Sequence, residues 1–246
     1  GGVSISLRNV KADYGAIETF TKYVELNSIL HKVQCNSSDF LDTVISSPLS
    51  FKLSPLMLSD NPDTVGRLRT SAFSALSCIF SEKKPDDGRA YIQFIGLLNG
   101  VRTRRYVRRD YIVDSSNTLD FYTLLVPKAM GSGKFGEQLS TFEIAEPGVA
   151  FTQTFIGIGC FSHREEAINL AKYLKCKFTR AMLGILKITQ DSPGPKWRFV
   201  PLQDFTTASD IDWTKPISEI DRQLYVKYGL DENEISFIEK NVKEMK

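Results

Sequence analysis

The chain has 246 residues, 31 Lys and Arg against 29 Asp and Glu, and 42% hydrophobic residues of which many are aromatic. That balance excludes a disordered tail, and the length is enough to bury a core without metal or disulfide staples. The net charge of +2 is uneven: Asp210–Lys246 carries nine acidic and six basic residues, which leaves 25 basic against 20 acidic before it, so charge that could meet a polyanion lies toward the N-terminal side.

Taken in chain order, Val3–Arg8 alternates apolar and polar residues with the period of a half-buried strand, and residues 1–60 as a whole read as short apolar segments with polar breaks. Phe40, Leu41, Val44 and Ile45 have the spacing of a short amphipathic helix that ends before Pro48, and residues 46–66 read as a loop. Strands are expected over Ala72–Phe80, Ala90–Leu98 and Tyr106–Val113, with Asn99-Gly100 as a hairpin turn. Further strands are expected over Phe121–Val126 and Phe151–Phe161, separated by the glycine-rich stretch Gly131–Gly136. Ser162-x-x-Glu165 has the form of a capping box and predicts a helix to about Lys187. The end reads as an αα-hairpin, with Gly229 closing its first helix and Asp231-x-x-Glu234 capping its second. The pattern predicts an α+β (mixed α/β) fold. It divides into a domain of residues 1–209, of which residues 1–119 are the variable portion, and a C-terminal helical hairpin of residues 210–246.

Cys35, Cys78, Cys160 and Cys176 are widely spaced and form no Cys-x-x-Cys pair, and His31 and His163 are the only histidines. This gives no zinc signature and fits a reducing, cytoplasmic setting. No apolar run reaches the roughly 18–20 residues of a membrane span.

Three motifs invite chemistry. Phe155-x-Gly157-x-Gly159 resembles the glycine turn that holds S-adenosylmethionine, but no acidic residue ends a following strand to take the ribose hydroxyls. Gly131-Ser132-Gly133-Lys134 resembles the end of a P-loop, but Phe135 stands where a Ser or Thr should ligate magnesium. Its backbone N–H groups and Lys134 can still approach a phosphate. Pro62-Asp63 followed by Glu82-Lys83-Lys84 satisfies the loose pattern of a Mg²⁺-dependent endonuclease, with Asp63 and Glu82 as metal ligands and Lys84 orienting water.

The strongest electrostatic feature is Val101–Arg109, five arginines in nine residues. Guanidinium forks match phosphate oxygens and the O6/N7 edge of guanine. Arg102, Arg104, Arg105, Arg108 and Arg109 are therefore candidate DNA contacts. Lys128, Ser132 and Lys134 are candidate backbone anchors, with Lys175 and Arg180 on the long helix as further ones.

Phe121–Gly133, Thr154–Gly159, Lys177–Leu183, Trp197–Thr206, Ser209–Trp213 and Glu219–Leu230 together resemble the C-terminal region of bacterial type II restriction–modification adenine-specific DNA methyltransferases. The likeness is dense over residues 120–246 and thinner before them. It implies a target-recognition domain of the TaqI-like specificity kind, which holds double-stranded DNA against an upstream catalytic methyltransferase domain. Catalytic motifs and the cofactor, S-adenosylmethionine, would then belong to that upstream domain, and this chain would have no cofactor and no chemistry of its own.

Overall fold

The computed structural model describes residues 19–64 and 66–245, and the strand expected over Val3–Arg8 lies outside them. Helices occur together with antiparallel and mixed sheets, giving the α+β class. The first element among the described residues is a helix, α1 (Val24–Cys35), where short strand-like segments were expected. Leu26, Ile29, Leu30 and Val33 are all buried, and their i, i+3, i+4, i+7 spacing makes one continuous apolar stripe. A 3₁₀ turn at Leu41–Val44 replaces the short amphipathic helix and leads into β1 (Ile45–Ser46). The expected loop 46–66 contains two elements, β2 (Phe51–Leu53) and α2 (Pro55–Asp60). Ser54 starts α2 by accepting a hydrogen bond from the Met57 N–H at 3.2 Å, and Pro55 occupies the first turn, where its missing N–H costs nothing.

Ala72–Phe80 is not a strand: α3 (Ala72–Ala75) buries Ala72 and Phe73 and then unwinds. β3 (Tyr91–Leu98) and β4 (Val101–Arg108) form the expected hairpin, with Asn99 and Gly100 both at positive φ, 51° and 77°, as a tight two-residue turn requires. The arginine run is thus itself strand β4. A 3₁₀ turn at Arg109–Tyr111 cuts the strand expected over Tyr106–Val113, and β5 (Ile112–Asp114) turns away to pair with β2.

Next come β6 (Tyr122–Pro127), β7 (Glu143–Ala145), β8 (Val149–Phe151) and β9 (Phe155–Phe161). The expected single strand 151–161 is therefore two, split at Thr152–Thr154, because β8 joins β3 while β9 joins β6. The expected long helix is also two, α4 (Arg164–Lys175) and α5 (Lys177–Leu183), broken at Cys176 with extended ψ of 143°. His163, not Ser162, precedes α4, and no side chain caps it. The C-terminal hairpin forms as expected from α6 (Ile217–Lys227) and α7 (Glu232–Asn241), with Gly229 at φ 62°. Asp231 and Glu234 make the reciprocal capping box.

A four-stranded antiparallel sheet, β1-β9-β6-β7, stands between two hydrophobic cores. On β6, Leu124 and Val126 enter the core shared with α1, α4, α5, α6 and α7, while Leu125 enters the core shared with β2, β3, α2 and α3. The period of two along β6 therefore divides its side chains between two interiors, which explains why Leu124-Leu125-Val126 is apolar throughout. A three-stranded sheet, β4-β3-β8, lies in the second half with β3 at its centre and β4 at an edge.

The break at Cys176 has a specific support. Asp221 on α6 accepts from the backbone N–H groups of Lys177 and Phe178 at 3.0 and 2.9 Å, satisfying the first orphan donors of α5. Burial pushes the Asp221 carboxyl up to about 6, against the lowering effect of those two donors. A folded-state value above the unfolded one means that the native state keeps a proton which the unfolded chain releases. The contribution of Asp221 is therefore greatest below about pH 4 and falls as the pH rises through about 6, by on the order of 3 kcal/mol. Urea unfolding from pH 4 to 7 should show this decline in the native chain and a flatter profile in Asp221→Asn.

Candidate nucleic-acid interface

β4 carries its arginines on an exposed edge, but acidic partners already meet most of them. Arg102 and Arg104 share Glu143 on β7, Arg102 at 3.4 Å, and Arg104 also donates to the Gln93 side chain. Arg105 pairs with Glu82 at 2.9 Å. Arg108 is bound most fully: it pairs with Asp110 at 2.7 Å and Asp60 at 3.2 Å, donates to the Tyr111 hydroxyl, and stacks on the Tyr111 ring at 4.1 Å. The hydrogen bonds to Asp110 come first among the influences that raise the guanidinium pKa of Arg108 still further. Arg109 donates to the Ile112 carbonyl at 2.8 Å. The outer edge of β4 is further covered by Ser81, whose backbone exchanges two hydrogen bonds with Tyr106.

The glycine loop holds an anion of its own. The Glu137 carboxylate accepts from the Ser132 N–H at 2.7 Å, the Ser132 hydroxyl at 2.9 Å and the Gly133 N–H at 2.9 Å, and it pairs with the buried Lys187 ammonium. Gly133 sits at φ 84°, where an added Cβ would strike the backbone of Ile188 and Thr189. Burial opposes the charge on Glu137, but Lys187 and the loop donors outweigh it and hold the carboxyl down at about 2. Ser132 and the loop N–H groups, expected to meet a DNA phosphate, are therefore already occupied from within.

The other expected anchors are dispersed. Arg180 is buried, donating to the carbonyls of Lys175 and Glu137, so it does not reach the surface as a helix charge would. Lys175 is half-buried and lines a small cavity with Leu139 and Phe142, and Lys134 lines a separate cavity of about 600 Å³ with Lys22. Glu82 is taken by Arg105, and among the described residues no group of three His, Cys, Asp or Glu side chains is placed to hold a metal ion. Gly157 and Gly159 lie inside β9, where a Cβ on Gly157 would press on Phe151 and Thr123 and one on Gly159 on the Phe161 ring. Their positions serve sheet packing and do not form a strand-to-helix cofactor turn.

Arg102 and Lys128 do come together. They line a cavity of about 360 Å³ with Thr70, Gln153 and Phe155, and the Arg102 guanidinium lies 5.2 Å from the Phe155 ring centre. Among the described residues the Lys128 ammonium keeps only a long contact to Asp191, 3.8 Å. Gln153 also lines the neighbouring cavity, about 470 Å³, whose walls carry Lys52, Arg67 and Arg69 over an apolar floor that includes Leu53 and Leu58. These three cations are exposed and form no ion pair or side-chain hydrogen bond among the described residues. The expectation of a plain loop over residues 46–66 gives no reason to single out Lys52, and Arg67 and Arg69 lie just beyond that loop. The available signal was Arg67-x-Arg69 bracketing the buried Leu68, together with exposed Lys52 between Phe51 and Leu53.

No protein-family model matches the chain, and no curated protein matches it. Among the described residues no helix is long and apolar enough to cross a membrane.

The Glu137–Lys187 pair makes a direct prediction. Because its folded pKa is depressed, Glu137 contributes stability above about pH 4.5, and this is lost as the pH falls toward 2. Removing the carboxylate also strands a buried ammonium, so Glu137→Ala should cost roughly 3–5 kcal/mol. Chemical denaturation at pH 7 measures that loss, and Lys187→Met combined with Glu137→Ala should recover a fraction of it.

Proposed function

We propose that the chain is a DNA target-recognition domain of the TaqI-like specificity kind, from an adenine-specific DNA methyltransferase of a restriction–modification system. It binds double-stranded DNA in the cytoplasm, and methyl transfer from S-adenosylmethionine belongs to an upstream catalytic domain. The observation that carries this reading is the pair of adjoining cavities that share Gln153 and are flanked by Lys52, Arg67 and Arg69 on one side and by Arg102 and Lys128 on the other. Lys52, Arg67 and Arg69, with no internal partner among the described residues, give up little on meeting phosphate, whereas a guanidinium already paired, Arg102 with Glu143 included, must first break that pairing. The groove therefore outranks the tip and outer edge of the arginine hairpin as the phosphate track. The acidic helical hairpin repels phosphate and supports the rest of the fold through its packing.

The test is duplex binding measured by fluorescence anisotropy across a salt series. Affinity should fall steeply with salt, and Arg67→Ala with Arg69→Ala should reduce the slope of log K against log salt by about 2, since each neutralised phosphate accounts for about 0.9. Arg108→Ala should leave that slope unchanged and lower the melting temperature instead. Binding that is absent, or indifferent to salt, removes the DNA-recognition reading.

A further inference from the structure

Between the two clusters of cations, Gln153 is the side chain that lines both cavities, and its placement assigns it a different task. Gln153 lies in the kink between β8 and β9, where its backbone N–H donates to the Leu68 carbonyl at 3.3 Å. Its flanking residues, Thr152 and Thr154, are fixed in turn: the Thr152 N–H donates to the Ile95 carbonyl, and the Thr154 carbonyl accepts from the Lys128 N–H at 2.9 Å. The main chain around Gln153 is therefore anchored to the segment before α3, to β3 and to the end of β6. Its side chain is half-buried, lines both cavities, and has no hydrogen-bond partner among the described residues. Its amide donor and acceptor are not sealed from solvent, so both are open toward the cavities and available to a ligand that offers complementary groups.

Resting on the DNA-recognition reading above, we propose that Gln153 is a specificity-determining residue that reads the major-groove edge of one adenine. A carboxamide offers a donor and an acceptor side by side, matching adenine N7 and N6–H₂, whereas a cationic side chain at the same place would hold any phosphate. Cations on either side hold the flanking backbone, and the fixed kink sets how far the amide reaches. Leu53 and Leu58 on the neighbouring floor suit an apolar group such as a thymine methyl.

The experiment is selection from a randomised duplex pool by the 246-residue chain, read by sequencing the bound fraction. The native chain should enrich a motif containing adenine. Gln153→Ala should keep its melting temperature and its salt-dependent affinity for bulk duplex, but lose roughly 10- to 100-fold of discrimination at a single A·T pair while the rest of the motif persists. Gln153→Glu should shift that one position toward cytosine, whose amino group a carboxylate accepts. Should Gln153→Ala retain the whole motif, or lose selectivity at a position other than adenine, the assignment to Gln153 is overturned while DNA recognition stands. Enrichment of no motif by a native chain that still binds duplex also overturns it. If the native chain retains no duplex at all, the DNA-recognition reading fails and this one with it.

Discussion

The carboxylate of Glu137 is the constraint on which the arrangement of both halves depends. It lies in the turn after β6 and fastens distant stretches of chain by accepting hydrogen bonds. The loop N–H groups fix the exit from the central sheet, and the Lys187 ammonium fixes the chain just after α5. The next residues extend the join, since the Gly136 carbonyl accepts from the Lys243 N–H at 2.9 Å and the Gln138 side chain donates to the Glu244 carbonyl beyond α7. A buried ion pair is weak evidence for net stability when compared with apolar replacements. Its value here is geometric: four donors converging on two oxygens admit one loop conformation, and that conformation sets where the C-terminal helices meet the sheet.

From that join the rest follows through β6. Its side chains alternate between two cores, so the position of β6 fixes the helical layer on one face and the β2–β3 region on the other. The groove lies where the second core reaches the end of this sheet. Pro127, Lys128 and Ala129 come from the exit of β6, Gln153 from the β8–β9 kink, and Arg67 and Arg69 from the segment before α3. Lys128 and Gln153 stand on backbone tied to neighbouring chain by hydrogen bonds, which limits the reorganisation needed to meet a rigid duplex.

Elements whose signal is local were legible in the sequence. Asn99-Gly100, the Asp231 capping box and the apolar run of β6 each depend on a few adjacent residues, and each appears where expected. Elements set by distant partners were not. The helical pattern breaks at Cys176 because Asp221, 44 residues beyond Lys177, supplies the acceptor that a new helix start needs. Thr152–Thr154 break an apolar strand because its two ends pair with different sheets. The helix α1 carries a local signal, the period of 3.6 in Leu26, Ile29, Leu30 and Val33, which the polar breaks on either side of it obscure. The same limit governs the site. Arg102 and Lys128 can be named as cations from sequence alone, but which cations keep their charge free depends on carboxylates such as Glu143 and Asp60, supplied from elsewhere in the chain.

That pairing also explains why so many arginines stand on one strand. β4 is a sheet edge, and an exposed, flat edge is a template for unwanted pairing with another chain. Arg102, Arg104, Arg105 and Arg108, each tied to an acidic partner, surround the edge with bulky charged groups, and the Ser81 backbone occupies one pair of its hydrogen-bonding positions. Lysines would place charge there, but Arg104 must donate to both Gln93 and Glu143, and Arg108 to Asp110, Asp60 and Tyr111, which takes a fork with several donors. The density of arginine in a sequence therefore measures two different things. On β4 it chiefly reports an edge held and guarded by internal pairs; only Arg102 among them also faces the groove, where Lys52, Arg67 and Arg69 leave their charge unmatched among the described residues.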